Sequence, residues 1–178
     1  MRDSGCNAVV MEVSSHSLFL KRVYGIRFQG AIFTNLSQDH LDFHGDFEHY
    51  RDAKALLFAQ AEHSAINADD PVCKDMIAAA AGEVKTYGIK NRANIMAKGV
   101  QLQPEGSRFI MVNEGTQLPI LLRTPGLFSV YNALAAISIS FMLGVDMISI
   151  KQGLEAVRGI AGRFESLDTR GGEYSIIL

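Results

Sequence analysis

The chain has 178 residues, 48% hydrophobic and 20% charged, and its 17 basic side chains nearly balance 19 acidic ones for a formal net charge of -2. That length and composition suit a folded globular protein with one sizeable core or two small ones, and exclude a disordered chain. Near-neutral charge carries no basic footprint for nucleic acid or an anionic membrane, so the expected partners are small molecules.

Ala8 to Val13 (AVVMEV) is a short β-branched run suited to a buried parallel strand, and Gly30 to Asn35 (GAIFTN) is a second. Asp46 is a candidate N-cap, with Glu48 in the first turn, for a helix from Phe47 to about Ala61. Ser64 to Asn67 then reads as a strand, Asp70-Pro71 opens a helix through Ala81 that Gly82 closes, and Val84 to Ile89 is one more strand. This alternation predicts an α/β fold, a doubly wound and mostly parallel sheet with ligands at the strand C-terminal ends.

Between Asn94 and Arg123 the pattern changes to three alternating strands broken at Pro104-Glu105-Gly106 and Glu114-Gly115, a small antiparallel meander covering 94–123. A mostly apolar helix from Ser129 to Leu143 follows, ended by Gly144, and a shorter one runs from Met147 to Val157. Phe164 to Thr169 and Tyr174 to Leu178 read as strands, and the last of these breaks off inside an apolar run, as in a piece cut from a longer protein. Cys6 and Cys73 stand far apart in apolar settings and read as buried thiols of a reducing compartment. No apolar run approaches the roughly 20 residues of a membrane span, and MRDSGC lacks the charged-then-apolar order of a secretory signal, so a cytoplasmic location is expected.

Lys54 poses a chemical question, because helical spacing puts it on one face with Phe47, Tyr50, Leu57, Phe58 and Ala61. Its stem can lie along apolar surface while the ammonium reaches water. Alternatively, burial favours the neutral amine, which can take up CO2 as a carbamate and become a carboxylate-like metal ligand. Glu12 ends the first predicted strand and His40 follows the second, so both lie where strand ends converge; with a carbamate they would suit a hard divalent ion. Asp39 or Asp42 could orient the His40 ring or serve as a turn residue.

Asp69 and Asp70, in Asn67-Ala68-Asp69-Asp70-Pro71, sit where a strand turns into a helix, a place for a ribose contact or for ordinary turn chemistry. Asn132, within an apolar helix, is either a buried structural hydrogen-bonder or an adenine contact. Arg163, in RGIAGRFE, can reach a phosphate or pair with Glu165. Ser14, Ser15 and His16 lack the Gly-x-Ser-x-Gly setting of a hydrolase nucleophile, and His44, His49 and His63 read as turn or surface residues. No Gly-x-x-x-x-Gly-Lys-Ser/Thr loop is present, so an ATP phosphate cradle would have to come from upstream of Met1.

VVMEVSSH, IFTNLSQDHLDFHG, YRDAKALLF, INADDP, YNALAA and GRFE, in this order and spacing across nearly the whole chain, resemble the Mur ligases, and in particular the branch that adds the third amino acid to the peptidoglycan precursor. The resemblance implies that 1–178 is part of a central ATP-binding domain, lacking the upstream phosphate loop and the C-terminal amino-acid-binding domain, and inactive alone. It implies ATP and Mg2+ as cofactors, and UDP-MurNAc-L-Ala-D-Glu and a diamino acid, meso-diaminopimelate or L-lysine, as substrates, in an enzyme of cell-wall synthesis expected to be monomeric. Glu12 and His40 then correspond to metal ligands, with Lys54 as the carbamylated lysine. Ser14 and Arg22 correspond to contacts of the UDP-MurNAc-dipeptide, Asn132 to a nucleotide contact, Arg163 to the arginine reaching ATP phosphate, and Asp69 or Asp70 to neighbours of the ribose. Leu20 and Ser129 depart from the family's glutamine and asparagine. A folylpolyglutamate-synthetase-like amide ligase and a catalytically silent binding domain of the same fold are the alternatives.

Overall fold

The structure, a computed structural model, describes residue 3, residues 5–37 and 41–158, and the backbones of 166–167 and 176–177. Six strands form one sheet in the order of the chain: β1 (Phe28–Phe33), β2 (Ala61–Asn67), β3 (Glu83–Gly88), β4 (Ile95–Gln103), β5 (Gly106–Asn113) and β6 (Thr116–Leu122). β1 to β4 pair in parallel, while β4, β5 and β6 are antiparallel, so the predicted meander continues the parallel sheet instead of standing beside it. The fold is α/β with a mixed sheet, as the strand and helix alternation implied.

The parallel step from β3 to β4 needs no helical crossover because the strands are staggered. Tyr87 and Gly88, the end of β3, pair with Ile95 and Met96, the start of β4, and a short loop suffices. The β5–β6 turn is set by Glu114 and Gly115, with φ of 45° and 87°, the two left-handed residues of a hairpin matching the strand twist. Pro104 and Glu105 form the β4–β5 turn, as the sequence indicates.

Helices cover both faces. α5 (Leu127–Met142) lies across one face of the sheet, packing Val130, Ala133, Leu134 and Ile137 on Ala65, Tyr87, Ile95, Ala97, Phe109 and Met111, with Ile150 of α6 (Met147–Ala156) at the edge of this cluster. α5 comes so close to β1 that a Cβ on Gly30 would sit 2.7 Å from the Ile139 side chain, so a larger residue there would have to displace Ile139. The other face buries Ala31, Phe33 and Ile66 against Phe58, Val72 and Met76, beneath α4 (Cys73–Ala79). Successive residues Ala65 and Ile66 therefore point into different cores, the period-two signature of a strand covered on both sides.

Several expectations are corrected. Ala8 to Val13 forms no strand: no described strand runs beside it to accept its backbone hydrogen bonds, and Val10 is 99% exposed. Cys6 consequently is exposed and not buried, while Cys73 is half-buried. The helix from Phe47, α3, stops at Ala55 and not near Ala61, because Ala61 is already paired with Phe28 in β2; a 3-10 turn at Phe58–Gln60 makes the transition. The helix expected from Asp70 to Ala81 is only the seven residues of α4. The two final strands are two-residue pairs, Ser166–Leu167 with Ile176–Ile177, and the rest of those expected strands lies outside the described residues. Among the described residues no helix is long and apolar enough to cross a membrane.

Candidate active site

The first group of predicted residues gathers where the N-terminal segment meets α3. Ser14 caps the short helix α1 (Ser15–Phe19): its Oγ accepts from the Ser17 backbone N–H at 3.1 Å and shares a second hydrogen bond with the Ser17 hydroxyl at 3.0 Å. Two residues before this cap is Glu12, exposed, and Lys54, near the C-terminal end of α3, is half-buried. α3 starts at the predicted cap, Asp46, whose carboxylate accepts from His49 N–H at 2.8 Å. Burial pushes the Lys54 ammonium below its ordinary 10.5, while the nearby Glu12 carboxylate opposes that shift by favouring the charged form. The half-buried lysine thus holds its proton less tightly than a free one, within electrostatic reach of the exposed Glu12 carboxylate. Arg22 is exposed and makes no ion pair among the described residues, leaving its guanidinium available to an anionic ligand.

The second group lies at the C-terminal ends of β1, β2 and β3. Asn67 donates from Nδ2 to Thr34 O at 2.7 Å, the Leu36 N–H donates to Asp70 Oδ2 at 3.0 Å, and Tyr87 donates its hydroxyl to Phe33 O at 2.8 Å. Together these hold the segment that leads from β1 towards His40. Asp69 is a hub: Oδ2 accepts from the Ile89 and Lys90 N–H groups at 2.7 and 3.0 Å and from the Tyr131 hydroxyl at 2.8 Å, and Oδ1 accepts from Asn91 N–H at 2.6 Å. Burial alone would raise this carboxyl, but the three backbone donors and Tyr131 outweigh it and hold it below its ordinary 3.8. Tyr131, by burial and by its bond to Asp69, is pushed up to about 12 and stays a donor at neutral pH. Asn132 follows it on α5, and its side chain is exposed, not buried, so the structural role considered for it is not realised and its amide is open to a ligand.

The profile of the Mur ligase middle domain matches residues 1–140. The chain belongs to the Mur ligase family. Among relatives of this Mur ligase chain, the UDP-N-acetylmuramoyl-L-alanyl-D-glutamate–2,6-diaminopimelate ligase of Caldanaerobacter subterraneus subsp. tengcongensis is 46% identical over 178 residues, covering 99% of this chain and 37% of the relative. The ligase of the same name from Halalkalibacterium halodurans is 42% identical, over 94% of this chain and 36% of its own length. A solved structure of a ligase with that name aligns at a TM-score of 0.86 and 28% identity, over 94% of this chain and 36% of that one. The chain therefore spans little more than a third of the length of these relatives.

Within the Mur ligase fold, two predicted site residues, His40 and Arg163, lie outside the described residues. No group of three or more His, Cys, Asp or Glu side chains able to hold a metal occurs among the described ones. The departure at Ser129 has a structural counterpart: the residue is buried and its hydroxyl donates to Pro125 O at 2.7 Å, closing the first turn of α5. An open cleft lined by Thr86, Arg92, Ala93, Asn94 and Glu114 flanks the β3–β4 connection and contains none of the predicted residues. The sequence reading also misplaced His44. It is a buried residue, on α2 (Leu41–His44), and the 29 positions between it and its partner Ser15 left no local pattern to reveal the contact.

Proposed function

We propose that this chain is the central part of an ATP-dependent ligase that joins a diamino acid to UDP-MurNAc-L-Ala-D-Glu in peptidoglycan synthesis. Residues 1–178 then contribute a partial ATP-binding domain, and the phosphate loop and the amino-acid-binding domain belong to other parts of the protein. The observation carrying the reading is a half-buried Lys54 whose ammonium is lowered by burial and felt by the Glu12 carboxylate, two residues before the Ser14 cap, in a chain of the Mur ligase family. The names of the relatives favour meso-diaminopimelate over L-lysine as the amino acid added.

The donor set fits a magnesium site. Glu12 offers an open carboxylate and Lys54 an amine whose neutral form is favoured by burial, the form that takes up CO2; as a carbamate Lys54 would join Glu12 and His40 as an oxygen and imidazole ligand set. Magnesium, when bound, supplies positive charge between two reacting anions, the ATP γ-phosphate and the substrate carboxylate. Ser14 and Arg22 bind and orient the UDP-MurNAc-dipeptide, Asn132 contacts the nucleotide, Asp69 and Asp70 border the ribose, and Arg163 holds phosphate charge. Transfer of the ATP γ-phosphoryl group to the substrate carboxylate releases ADP and gives an acyl phosphate, which the amine of the diamino acid attacks, releasing phosphate and forming the amide. Cytoplasmic location and a monomeric state follow as part of this reading.

The test uses the intact ligase with UDP-MurNAc-L-Ala-D-Glu, ATP and magnesium, and offers meso-diaminopimelate or L-lysine separately with product weighed by mass spectrometry. A tripeptide product with diaminopimelate is expected; ADP without product from either amine would overturn the reading.

A further inference from the structure

We propose that His44 is a positioning residue that locks the Ser14-bearing helix onto the Lys54-bearing helix, and so sets the distance between Glu12 and Lys54. The inference rests on the assignment of Lys54 as a metal-site carbamate. His44 Nε2 and Ser15 Oγ share a hydrogen bond of 3.0 Å between two buried groups, His44 at 8% and Ser15 at 1% exposure. The opposite contact of the ring is Tyr50 of α3, with centroids 5.2 Å apart and planes at 25°, and Tyr50 is itself buried. Phe43 and Phe19 meet the His44 ring edge-on at 4.8 and 5.9 Å, and His16 lies 5.6 Å away.

Ser15 follows Ser14 directly and stands three residues after Glu12; Tyr50 lies one helical turn before Lys54 on the same face. One imidazole therefore bridges the two elements that carry the site, with a directional bond on one side and a stacked ring on the other. Directionality matters because aromatic packing alone tolerates sliding, whereas a hydrogen bond within a low-dielectric pocket fixes register. A phenylalanine at this position keeps the stack and leaves the Ser15 hydroxyl buried without this partner, which favours withdrawal of α1 from α3.

The experiment compares the wild-type intact ligase with His44→Phe, His44→Gln, Ser15→Ala and the His44→Phe/Ser15→Ala pair. Lys54 carbamate is read by 13C NMR after supply of 13C-bicarbonate, and the magnesium concentration for half-maximal rate and KM for the UDP-MurNAc-dipeptide are measured beside it. His44→Phe and Ser15→Ala are each expected to lower carbamate occupancy and to raise the magnesium requirement about tenfold. His44→Gln, whose amide can bond Ser15 Oγ, is expected to recover most of the loss, and the pair is expected to be no worse than His44→Phe alone, because both changes remove one bond. Should His44→Phe fail to fold, Ser15→Ala, which removes a single atom, carries the test. An unchanged carbamate signal and magnesium dependence in Ser15→Ala would overturn the proposal while leaving the metal-site reading intact. Absence of the signal from wild type would remove that reading, and this proposal with it.

Discussion

Asp69 shows how much one carboxylate can organise. It joins the β2–α4 turn to the loop after β3 and, through Tyr131, to α5. Its carboxyl is depressed in the folded protein, so its contribution to stability is present above the unfolded value near pH 4 and is lost as pH falls through the lower folded value. Asp69→Asn turns amide hydrogens towards the backbone donors and is expected to cost about 2 kcal/mol at pH 7, less than four charge-assisted bonds imply because the group is partly open to water. Urea denaturation at pH 7 and pH 2.5 checks this: the gap from wild type should narrow in acid, and parallel losses at both would show that the carboxylate charge is not what matters. At Lys54 the expectation concerns activity. Lys54→Ala in the intact ligase should lose most turnover and regain part of it with a short carboxylic acid that fills the carbamate's place, whereas wild-type turnover in Lys54→Ala would exclude a metal ligand there. Sequence patterns flagged Lys54 because its exception is local, a cation among apolar residues at helical spacing. They were blind to the Asp69 hub and to the bond between His44 and Ser15, hydrogen bonds that join positions 20 or more apart.

Elements show the same division. Turns and caps whose chemistry is local were legible: Asp46 caps α3, and Pro104-Glu105 and Glu114-Gly115 reverse the chain where expected. The C-terminal end of α3 was not, because pairing of Ala61 with β1 overrides the helical periodicity that continues past Ala55. A further element-scale feature is the guarded edge of the sheet. β6 is a border strand, and α6 places Glu155 Oε1 at 3.1 Å from the Leu121 N–H and Lys151 Nζ against Pro119 O, with the two side chains paired at 2.9 Å. Arg123 Nε donates to Glu155 O at 3.2 Å, tying the end of β6 to the same helix. Lone backbone groups on such an edge are a template for another strand. Replacing both Lys151 and Glu155 with alanine should therefore cost only about 1 kcal/mol, as expected for exposed pairs, yet promote concentration-dependent self-association in sedimentation velocity. A strictly monomeric double variant would mean that Pro119 and the packing of α6 already suffice.

For the whole molecule, the α/β class and the two covered faces were readable because strands and helices alternate between Gly30 and Ile89, and the family followed from motifs whose order is preserved. The joining of the 94–123 meander to the parallel sheet through β3 and β4 was not readable, because it rests on pairing of strand ends and not on a local pattern. What the N-terminal AVVMEV segment does could not be read, since its composition suits a buried parallel strand but a strand needs a neighbour. The consequence for stability is uneven protection. α5 and β3 to β6 share the larger core, in which Tyr87, Ile95, Met111, Leu134 and Ile137 are essentially inaccessible, so their amides should open only with global unfolding. The backbone of 8–13, which forms neither strand nor helix in the described fold, should exchange within seconds in the 178-residue chain. Hydrogen exchange read by mass spectrometry separates these regions directly. Fast exchange at 8–13 with intact protection of Ile95–Ala97 and Leu134–Ile137 would leave Glu12 on a mobile arm, making the Ser15–His44 bond the anchor that returns it to Lys54. Slow exchange at 8–13 would mean that this segment has found a strand partner, and that sheet pairing, not α1, holds Glu12 in place.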